Sequence, residues 1–380
     1  MHDDPAVERA KRAHRLRWGE PDFVVRAPGR VNLIGEHTDY NDGFTLPMAL
    51  PFDTALAVSS SGDAAAGSVT ISSDGFGEVK IDPTADPRSV DAWATYISGS
   101  IGLLAEHGIP TGGWRASVET DIPTGASLSS SAAIEVATIT AMLHRAGTSW
   151  APVDVAQLGQ RVENEVVGVP SGIMDQFISA GAVDGHAGLM DCRSLTLTPT
   201  RIPDDVVVAI MDSGTRRKLA EAAYGDRRAS CQRAAESLGV AALRDATPEQ
   251  VATIADATDR RRARHIVTEN RRTLGAVDAL AAGDTAEFGR LMRASHASLR
   301  DDFEVSGPGL DAIVEAADRA PGCLGARMTG GGFAGCAVAL VDVSRTEEFG
   351  RFVLDEYSYD GHTADIWICA PAAGASLVDP

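Results

Sequence analysis

The chain carries, at residues 27–43, the stretch APGRVNLIGEHTDYNDG, and this segment constrains its interpretation more than any other. Residues 23–27 alternate in polarity as a β-strand does, and we expect that strand to end at the proline and glycine that follow. Glu36, His37 and Asp39 then supply two carboxylates and an imidazole on a turn bounded by glycines. Such groups fix hydroxyls directionally, so the segment predicts a polyol-binding site. The alternative is that the carboxylates only cap the turn.

A second segment, PTGASLSSSAA at residues 123–133, opens a helix that is predicted over 129–144. Free N–H groups and the helix dipole make such an end an anion site, and small side chains let a phosphate approach the backbone. The serines could equally act only as an N-cap. The sequence contains neither a Walker loop nor the HRD and DFG motifs of protein kinases.

A third segment, MTGGGFAGC at residues 328–336, contains three consecutive glycines. Because glycine loses much backbone entropy on folding, such a run indicates close approach to a ligand or to another backbone rather than an idle loop.

Length and charge limit the architecture and the partners. A chain of 380 residues exceeds the usual size of one core, so we expect two lobes that pack directly and leave a cleft between them. Residues 1–200 would form the N-terminal lobe and residues 201–380 the C-terminal lobe. The net charge of −19 repels nucleic acids and anionic membranes, so neither is expected as a partner. The basic run at residues 260–272 is interpreted as an ion-paired or solvated helix face rather than a nucleic-acid patch.

The cysteines and the N-terminus bear on the compartment. The five cysteines show no metal-binding spacing and are expected to pack as small apolar residues in a reducing compartment. The first residues show no signal-peptide pattern, and no stretch has the apolar length of a membrane helix. A cytoplasmic location is therefore predicted.

The three segments, in this order and at these separations, resemble the three motifs of the GHMP small-molecule kinase superfamily. The first resembles the signature of the galactokinase family and differs from mevalonate and homoserine kinases. The resemblance extends over roughly residues 20–370, and further agreement lies at GIMDQF (172–177), AYGDRR (223–228), RARHIVTEN (262–270), Ser295-His296 and DDFEVS (301–306). It implies an α+β, two-lobed GHMP kinase-like fold with the active site in the interlobe cleft.

The same resemblance implies the reaction and the residues. The chain would transfer the γ-phosphoryl group of ATP, with Mg²⁺, to the anomeric hydroxyl of galactose. Asp175 matches the catalytic aspartate, and Arg30 matches the arginine beside it that stabilises the moving phosphoryl group. The sugar positions are Glu36, His37, Thr38, Asp39, Gly172, Asp175 and Tyr224. The nucleotide positions are Ser73, Trp93, Tyr96, Gly125, Ala126, Ser127, Leu128, Ser129, Ser130 and Ser131, and the Mg²⁺ positions are Ser131 and Glu163.

The resemblance also implies what each sugar-site residue recognises. Asp39 would bind the 3- and 4-hydroxyls, and Glu36 with His37 would bind the 6-hydroxyl. We expect Asp175 to orient the attacking hydroxyl and to take its proton late, because the hydroxyl keeps its proton until late in a loose transition state.

Several assignments have structural alternatives. Trp93 and Tyr96 could belong to a core, since their i,i+3 spacing is helical. Glu163 could be a solvated helix charge, and Tyr224 could serve packing alone. Arg30 and Asp175 could form only a salt bridge between lobes.

Three positions depart from the family pattern. Ser171 stands where a cysteine is common and is expected to leave Asp175 in place. Ser127 stands where the phosphate loop usually has glycine, so nucleotide affinity would suffer if that position needs a positive φ. Ala334 also replaces a usual glycine, with a smaller expected effect.

Two other functions compete with a galactose kinase. One is a related GHMP kinase that acts on N-acetylgalactosamine or arabinose. The other is a non-catalytic sensor of sugar and ATP, which would be expected to have lost part of the phosphate loop, whereas residues 130–132 are intact here. We expect a monomer whose partners are galactose and ATP.

Overall fold

The computed structural model describes residues 4–61, 67–123, 125–216 and 220–378, so Thr124 of the second segment lies outside the described residues. The strands are β1 (Phe23–Asn32), β2 (Phe44–Thr45), β3 (Pro47–Ser60), β4 (Val69–Ser73), β5 (Gly77–Ile81), β6 (Trp114–Thr120), β7 (His186–Asp191), β8 (Thr196–Arg201), β9 (Val206–Asp212), β10 (Cys323–Met328), β11 (Cys336–Asp342), β12 (Asp365–Cys369) and β13 (Ser376–Val378). The helices are α1 (Ala6–Trp18), α2 (Ala92–Glu106), α3 (Ser130–Arg145), α4 (Pro152–Arg161), α5 (Met174–Gly181), α6 (Ala220–Leu238), α7 (Pro248–Val251), α8 (Ala257–Ala281), α9 (Thr285–Ser298), α10 (Pro308–Arg319) and α11 (Thr346–Glu356).

The strands form three sheets, and the mixture of largely antiparallel sheets with packed helices confirms the predicted α+β class. A six-stranded sheet has the order β13-β1-β3-β6-β4-β5, a four-stranded sheet the order β10-β11-β9-β12, and a three-stranded sheet the order β2-β7-β8. β13 pairs with β1, with Val24 opposite Val378. Strand β13, from the C-terminal half, therefore belongs to the same sheet as β1. The predicted lobe boundary near residue 200 stays a prediction.

The prediction that the first strand ends at Pro28 and Gly29 is wrong. β1 continues to Asn32 and stays paired with β3, with a shift of register between Pro28 and Arg30. The backbone N–H of Arg30 donates to the carbonyl of Leu128 at 3.0 Å. A Cβ at Gly29 would lie 2.6 Å from that same carbonyl, so only glycine allows this approach. The irregularity is a bulge that joins β1 to the second segment.

Among the apolar clusters of the described residues, three join the main elements of the fold. One lies between the six-stranded sheet and helices α2 and α3, around the fully buried Trp114. A second includes Phe303 and Ile266 from the helical region α6–α9. The third joins Leu33 and Leu46 to Phe288 and to strand β11, so that residues from both halves of the sequence share one core. The direct packing of the halves follows from this shared core.

Charges and cysteines behave as expected from the sequence. Within the basic run on α8, Arg261 and Arg262 pair with Glu304, and Arg264 pairs with Asp302, which confirms the ion-paired helix face. The five cysteines are free thiols, and four of them are buried. Among the described helices, none is both long and apolar enough to cross a membrane.

Candidate active site

A pocket collects side chains from segments that are distant in the sequence. It is lined by the first segment, by the start of α5, by α6 and by the glycines of the third segment. The predicted residues that line it are Arg30, Glu36, His37, Asp39, Glu163, Gly172, Asp175 and Tyr224. We call this cavity the sugar pocket below, after the ligand that the sequence predicts for these residues.

Arg30 and Asp175 meet in this pocket although they are 145 positions apart. The Arg30 guanidinium donates from Nε to Asp175 Oδ1 and from Nη2 to Oδ2, both at 2.7 Å. Its Nη1 donates to the carbonyl of Ser127 at 2.8 Å. Burial alone would lower the pKa of Arg30, but the Asp175 carboxylate offsets burial and raises it. The guanidinium is therefore a permanent cation that ties Asp175 to the phosphate-loop backbone.

The hydroxyl of Ser129 also reaches Asp175. Ser129 precedes α3 in the left-handed conformation, with φ of 62°, and its Oγ donates to Asp175 Oδ2 at 2.5 Å. A carboxylate offers about four acceptor positions, and Arg30 with Ser129 occupies three of them. One acceptor position therefore remains on this carboxylate. The sequence assigned Ser129 to the nucleotide, whereas its side chain bonds to the catalytic carboxylate candidate.

Asp39 lies against the bare backbone of Gly172. A Cβ at Gly172 would stand 1.8 Å from Asp39 Oδ2, a distance that no side chain could tolerate. Gly172 thus provides the space that the Asp39 carboxyl occupies. Burial and the nearby Asp175 charge raise the pKa of Asp39 to about 7.

Glu36 and Thr38 point into the protein more than the sequence indicated. Glu36 Oε1 accepts hydrogen bonds from Thr329 Oγ1 at 3.0 Å and from the backbone N–H of Gly330 at 2.8 Å. The Thr38 hydroxyl donates to the carbonyls of Gly35 and Phe44. Thr38 is fully buried and is not among the residues that line the pocket. Its hydrogen bonds stabilise the conformation of the loop rather than contact a ligand.

Aromatic rings form one wall of the sugar pocket. His37 has a φ of 64°, and its ring lies 5.4 Å from that of Tyr224 and 4.7 Å from that of Phe303. His37 Nδ1 is 2.9 Å from the hydroxyl of Tyr40. The unusual backbone of His37 is therefore held by ring packing and by a hydrogen bond.

The phosphate loop forms a second pocket that adjoins the first. It is lined by Arg30 and Asp175 together with Tyr96, Gly125, Ser127, Leu128, Ser129, Ser130 and Ser131. The side chains of Ala126 and Leu128 are buried, so these two positions can offer only backbone groups to a ligand. The N-terminus of α3 begins here, at Ser130, with its free N–H groups.

Ser127 and the third segment fit closely together. Ser127 has a φ of 60°, so the position does take the left-handed conformation that glycine prefers. A Cβ at Gly335 would lie 3.2 Å from Ser127 Oγ, and a Cβ at Gly332 would lie 2.3 Å from the carbonyl of Val305. The glycines of the third segment thus permit close backbone approach, as their sequence predicts.

Glu163 lies beside the phosphate loop at a wide turn that continues α4. Its carbonyl accepts from the N–H of Gly168, an i→i+5 bond of 2.8 Å. Its carboxylate accepts from Ser131 Oγ at 2.8 Å and also from Ser171 Oγ. Burial raises the pKa of Glu163, and the two hydroxyl donors oppose that effect. Glu163 is therefore not a solvated helix charge, and Ser171 contributes a bond that sequence reasoning did not anticipate.

The residues near Glu163 could hold Mg²⁺ only together with phosphate oxygens or water. Within the described ranges, no three His, Cys, Asp or Glu side chains form a metal cage. Mg²⁺ is commonly held by one or two carboxylates together with phosphate oxygens and water. One carboxylate and one hydroxyl beside a phosphate loop match that mode.

The predicted nucleotide residues outside the phosphate loop are only partly brought together. Tyr96 lines the phosphate-loop pocket, whereas Ser73 lines a separate groove with Arg12 and Glu119. The ring of Trp93 lies 5.8 Å from that of Phe76, which is 59% exposed. The sequence did not predict the contact of Phe76 with Trp93, because a single exposed aromatic residue on a turn has no pattern that marks it.

The sequence analysis also did not identify Arg216 as a residue near the phosphate loop. Its Nη2 pairs with Asp212 at 2.7 Å, and a Cβ at Gly125 would lie 3.1 Å from Arg216 Nε. The C-terminal half thus brings a cation against the phosphate loop.

Comparisons with known proteins agree with this geometry. The sequence matches the galactokinase galactose-binding signature over residues 12–60, the GHMP kinases N terminal domain over 95–182, and the GHMP kinases C terminal domain over 276–358. It is 43% identical to the galactokinase of Homo sapiens, with 97% of this chain and 96% of that protein covered. It is 42% identical to the galactokinase of Roseiflexus sp. (strain RS-1), with 94% and 93% covered.

Solved structures show the same relation. The crystal structure of Lactococcus lactis galactokinase complexed with galactose matches with a TM-score of 0.91 at 33% identity, covering 96% of this chain and 98% of that one. A mevalonate kinase matches with a TM-score of 0.68 at 19% identity over 93% of this chain and 100% of that one, which shows the fold alone. Fold and adjoining pockets together define a GHMP-type small-molecule kinase. More specifically, the chain belongs to the galactokinase family and is an ATP-dependent sugar kinase.

Proposed function

We propose that this chain phosphorylates galactose at its anomeric hydroxyl, with Mg²⁺ and ATP, and that Asp175 and Arg30 carry the reaction. The observation that supports this most is that Arg30 and Asp175 line both the sugar pocket and the phosphate-loop pocket. A group at the junction of two such pockets can contact both reactants at once. Positioning and charge neutralisation are what phosphoryl transfer asks of a protein.

The roles follow from the contacts. The free N–H groups at the start of α3 hold phosphate oxygens, and Arg30 meets the charge on the moving group. Asp175 accepts the hydrogen bond of the attacking hydroxyl at its remaining acceptor position. In a loose transition state, that hydroxyl loses its proton late, so an aspartate can take the proton even though it is a weak base.

Mg²⁺ would be held by Glu163 and the Ser131 hydroxyl, where it would neutralise phosphate charge. Glu163→Gln is expected to raise the Mg²⁺ concentration needed for half-maximal activity by about 10–100-fold, a loss typical of weakened metal sites. A Mg²⁺ titration of the initial rate measures this. Glu165→Gln is the matched control, because Glu165 lies in the same turn but is exposed and paired with Arg161. Equal shifts in both variants would contradict the assignment.

Sugar recognition should depend on pH through Asp39. The carboxylate form accepts hydrogen bonds from two hydroxyls, whereas the protonated form accepts fewer. With a pKa of about 7, Asp39 is largely ionised at pH 8 and largely protonated at pH 6. The Kd for galactose should therefore increase by roughly tenfold for each pH unit below the pKa. Calorimetric titrations between pH 5.5 and 8.5 test this, and Asp39→Asn should bind weakly with a flat profile.

One assay distinguishes this function from its alternatives. A coupled ATPase assay with galactose, glucose, talose and N-acetylgalactosamine should show turnover with galactose well above the others. Inverted or missing hydroxyls leave buried polar groups unpaired, at about 1–3 kcal/mol each. Preference for N-acetylgalactosamine would favour a related sugar kinase, and binding without turnover would favour a sensor. The monomeric state and the cytoplasmic location are part of the proposal.

A further inference from the structure

A buried cluster of charges lies directly behind the sugar pocket. Arg327 on β10 is fully buried, and its Nη2 lies 3.4 Å from Glu36 Oε1. Glu269 on α8 is also fully buried and pairs with Arg272 at 2.6 Å. Two carboxylates and two guanidiniums thus share an interior region, which is costly unless each charge is matched. Part of this cluster touches the proposed substrate site through Glu36.

The two oxygens of Glu36 have different surroundings. Oε1 accepts hydrogen bonds from the Thr329 hydroxyl and the Gly330 N–H, and Arg327 Nη2 lies 3.4 Å away as a charge partner that does not hydrogen-bond to it. Within the described residues, Oε2 accepts no hydrogen bond, and Glu36 is among the residues that line the sugar pocket. Glu36 therefore commits one oxygen to the protein and keeps the other for a ligand.

The backbone of Glu36 is fixed as well. The carbonyl of Glu36 is 3.1 Å from His265 Nε2, and the N–H of the preceding Gly35 donates to Glu269 Oε1 at 3.1 Å. Because a carbonyl can only accept, His265 must carry its proton on Nε2. The carboxylate of Glu36 consequently has few ways to turn, and its orientation depends on the charge behind it.

Arg327 supplies that charge. Its Nη1 donates to the carbonyl of Asn32 at 3.2 Å, which anchors the guanidinium to β1. Without the guanidinium, the Glu36 carboxylate, itself only 1% exposed, would lose its counter-charge. A buried carboxylate without its charge partner moves toward water, and it is then no longer in place to accept a hydrogen bond from a sugar hydroxyl.

We propose that Arg327 is a positioning residue for sugar recognition: its guanidinium orients the Glu36 carboxylate so that Oε2 binds one hydroxyl of the substrate. This rests on the proposed galactose site. The hydroxyl concerned is the 6-hydroxyl, as the resemblance implies for Glu36. Arg327 touches neither substrate, so its effect should depend on which hydroxyl the sugar presents.

The experiment compares two variants with two sugars. Galactose and 6-deoxygalactose are titrated calorimetrically into the wild-type protein, Arg327→Met and Arg327→Lys, and ATP is titrated separately. Arg327→Met should weaken galactose binding by about 10–100-fold, the usual range for an acceptor lost from a buried site. It should change the Kd for 6-deoxygalactose and for ATP by less than about threefold, since neither ligand meets Glu36 Oε2. Arg327→Lys should recover part of the galactose affinity because it keeps the charge.

Arg262→Met is the matched control. Arg262 is 3% exposed and pairs with Glu304 at 2.5 Å. Within the described residues, it forms no hydrogen bond or ion pair with a residue that lines the sugar pocket. This variant should lose stability without changing the ratio of the two sugar affinities. If Arg327→Met does not fold, Arg327→Lys and Thr329→Val, which removes another donor to Glu36, carry the same comparison.

The outcomes separate the inference from the function on which it rests. Equal weakening of both sugars by Arg327→Met, unchanged galactose affinity in that variant, or the same selective loss in Arg262→Met would overturn the role of Arg327. A wild-type protein that binds no galactose would overturn the proposed function itself. A loss confined to galactose supports both.

Discussion

Asp175→Asn is expected to reduce kcat by about 10²–10⁴-fold, the contribution that a positioned proton acceptor makes in enzymes. The amide keeps the shape of the carboxylate but cannot take a proton. It also places an NH₂ group against the donors of Arg30 and Ser129, which both bond to Asp175. Galactose affinity should stay within about fivefold, since the amide oxygen still accepts one hydrogen bond. Single-turnover kinetics with calorimetric sugar binding separate the two effects.

Asp53→Asn is the control for that variant. Asp53 also pairs with an arginine, Arg26, at 2.9 Å, but it lies on β3 and lines neither pocket. Its substitution should leave kcat unchanged. An Asp175→Asn protein that turns over within about tenfold of the wild type would reject Asp175 as proton acceptor, and positioning by Arg30 would then carry the rate.

Gly172→Ala is expected to destroy galactose binding while the protein remains folded. The added Cβ would lie 1.8 Å from Asp39 Oδ2 and 2.3 Å from its Cγ, so the carboxyl must leave its place. Loss of its hydrogen bonds to two hydroxyls, at about 1–3 kcal/mol each, predicts that binding weakens by about 30-fold or more. Galactose titration and thermal unfolding measure both parts. The ATP affinity should change little because the phosphate-loop pocket does not include Asp39.

Gly225→Ala provides the matched control on α6, beside Tyr224. No atom lies within 4 Å of a Cβ at this position, so the variant should bind galactose normally. Alanine in a helix should make it slightly more stable, by about 0.5–1 kcal/mol. If the Gly172→Ala protein bound galactose like the wild type, Asp39 would not bind the sugar from its present position.

The sequence was informative wherever a function is encoded in a short segment. The turn that carries Asp39, the serine-rich helix start and the run of glycines could each be interpreted locally, because their chemistry depends on residue type and close spacing. Their order and separations carried the resemblance to the GHMP kinases, and that resemblance implied the α+β class. The strand break at Pro28 was mistaken, since the same residues also form a bulge when another segment satisfies the backbone. That partner, Leu128, lies in the phosphate loop.

Local patterns could not reveal which atoms meet across the interior. Thr38 bonds within its own loop, Ser129 bonds to Asp175, and Ser171 bonds to Glu163. Arg327 is 291 positions from Glu36, by subtraction of their residue numbers, and no periodicity links the two. The motifs thus specify the kind of chemistry, because that chemistry depends on residue type and close spacing along the chain. The direction of each side chain is set by long-range packing, because a buried polar group takes whichever partner the fold brings within hydrogen-bonding distance.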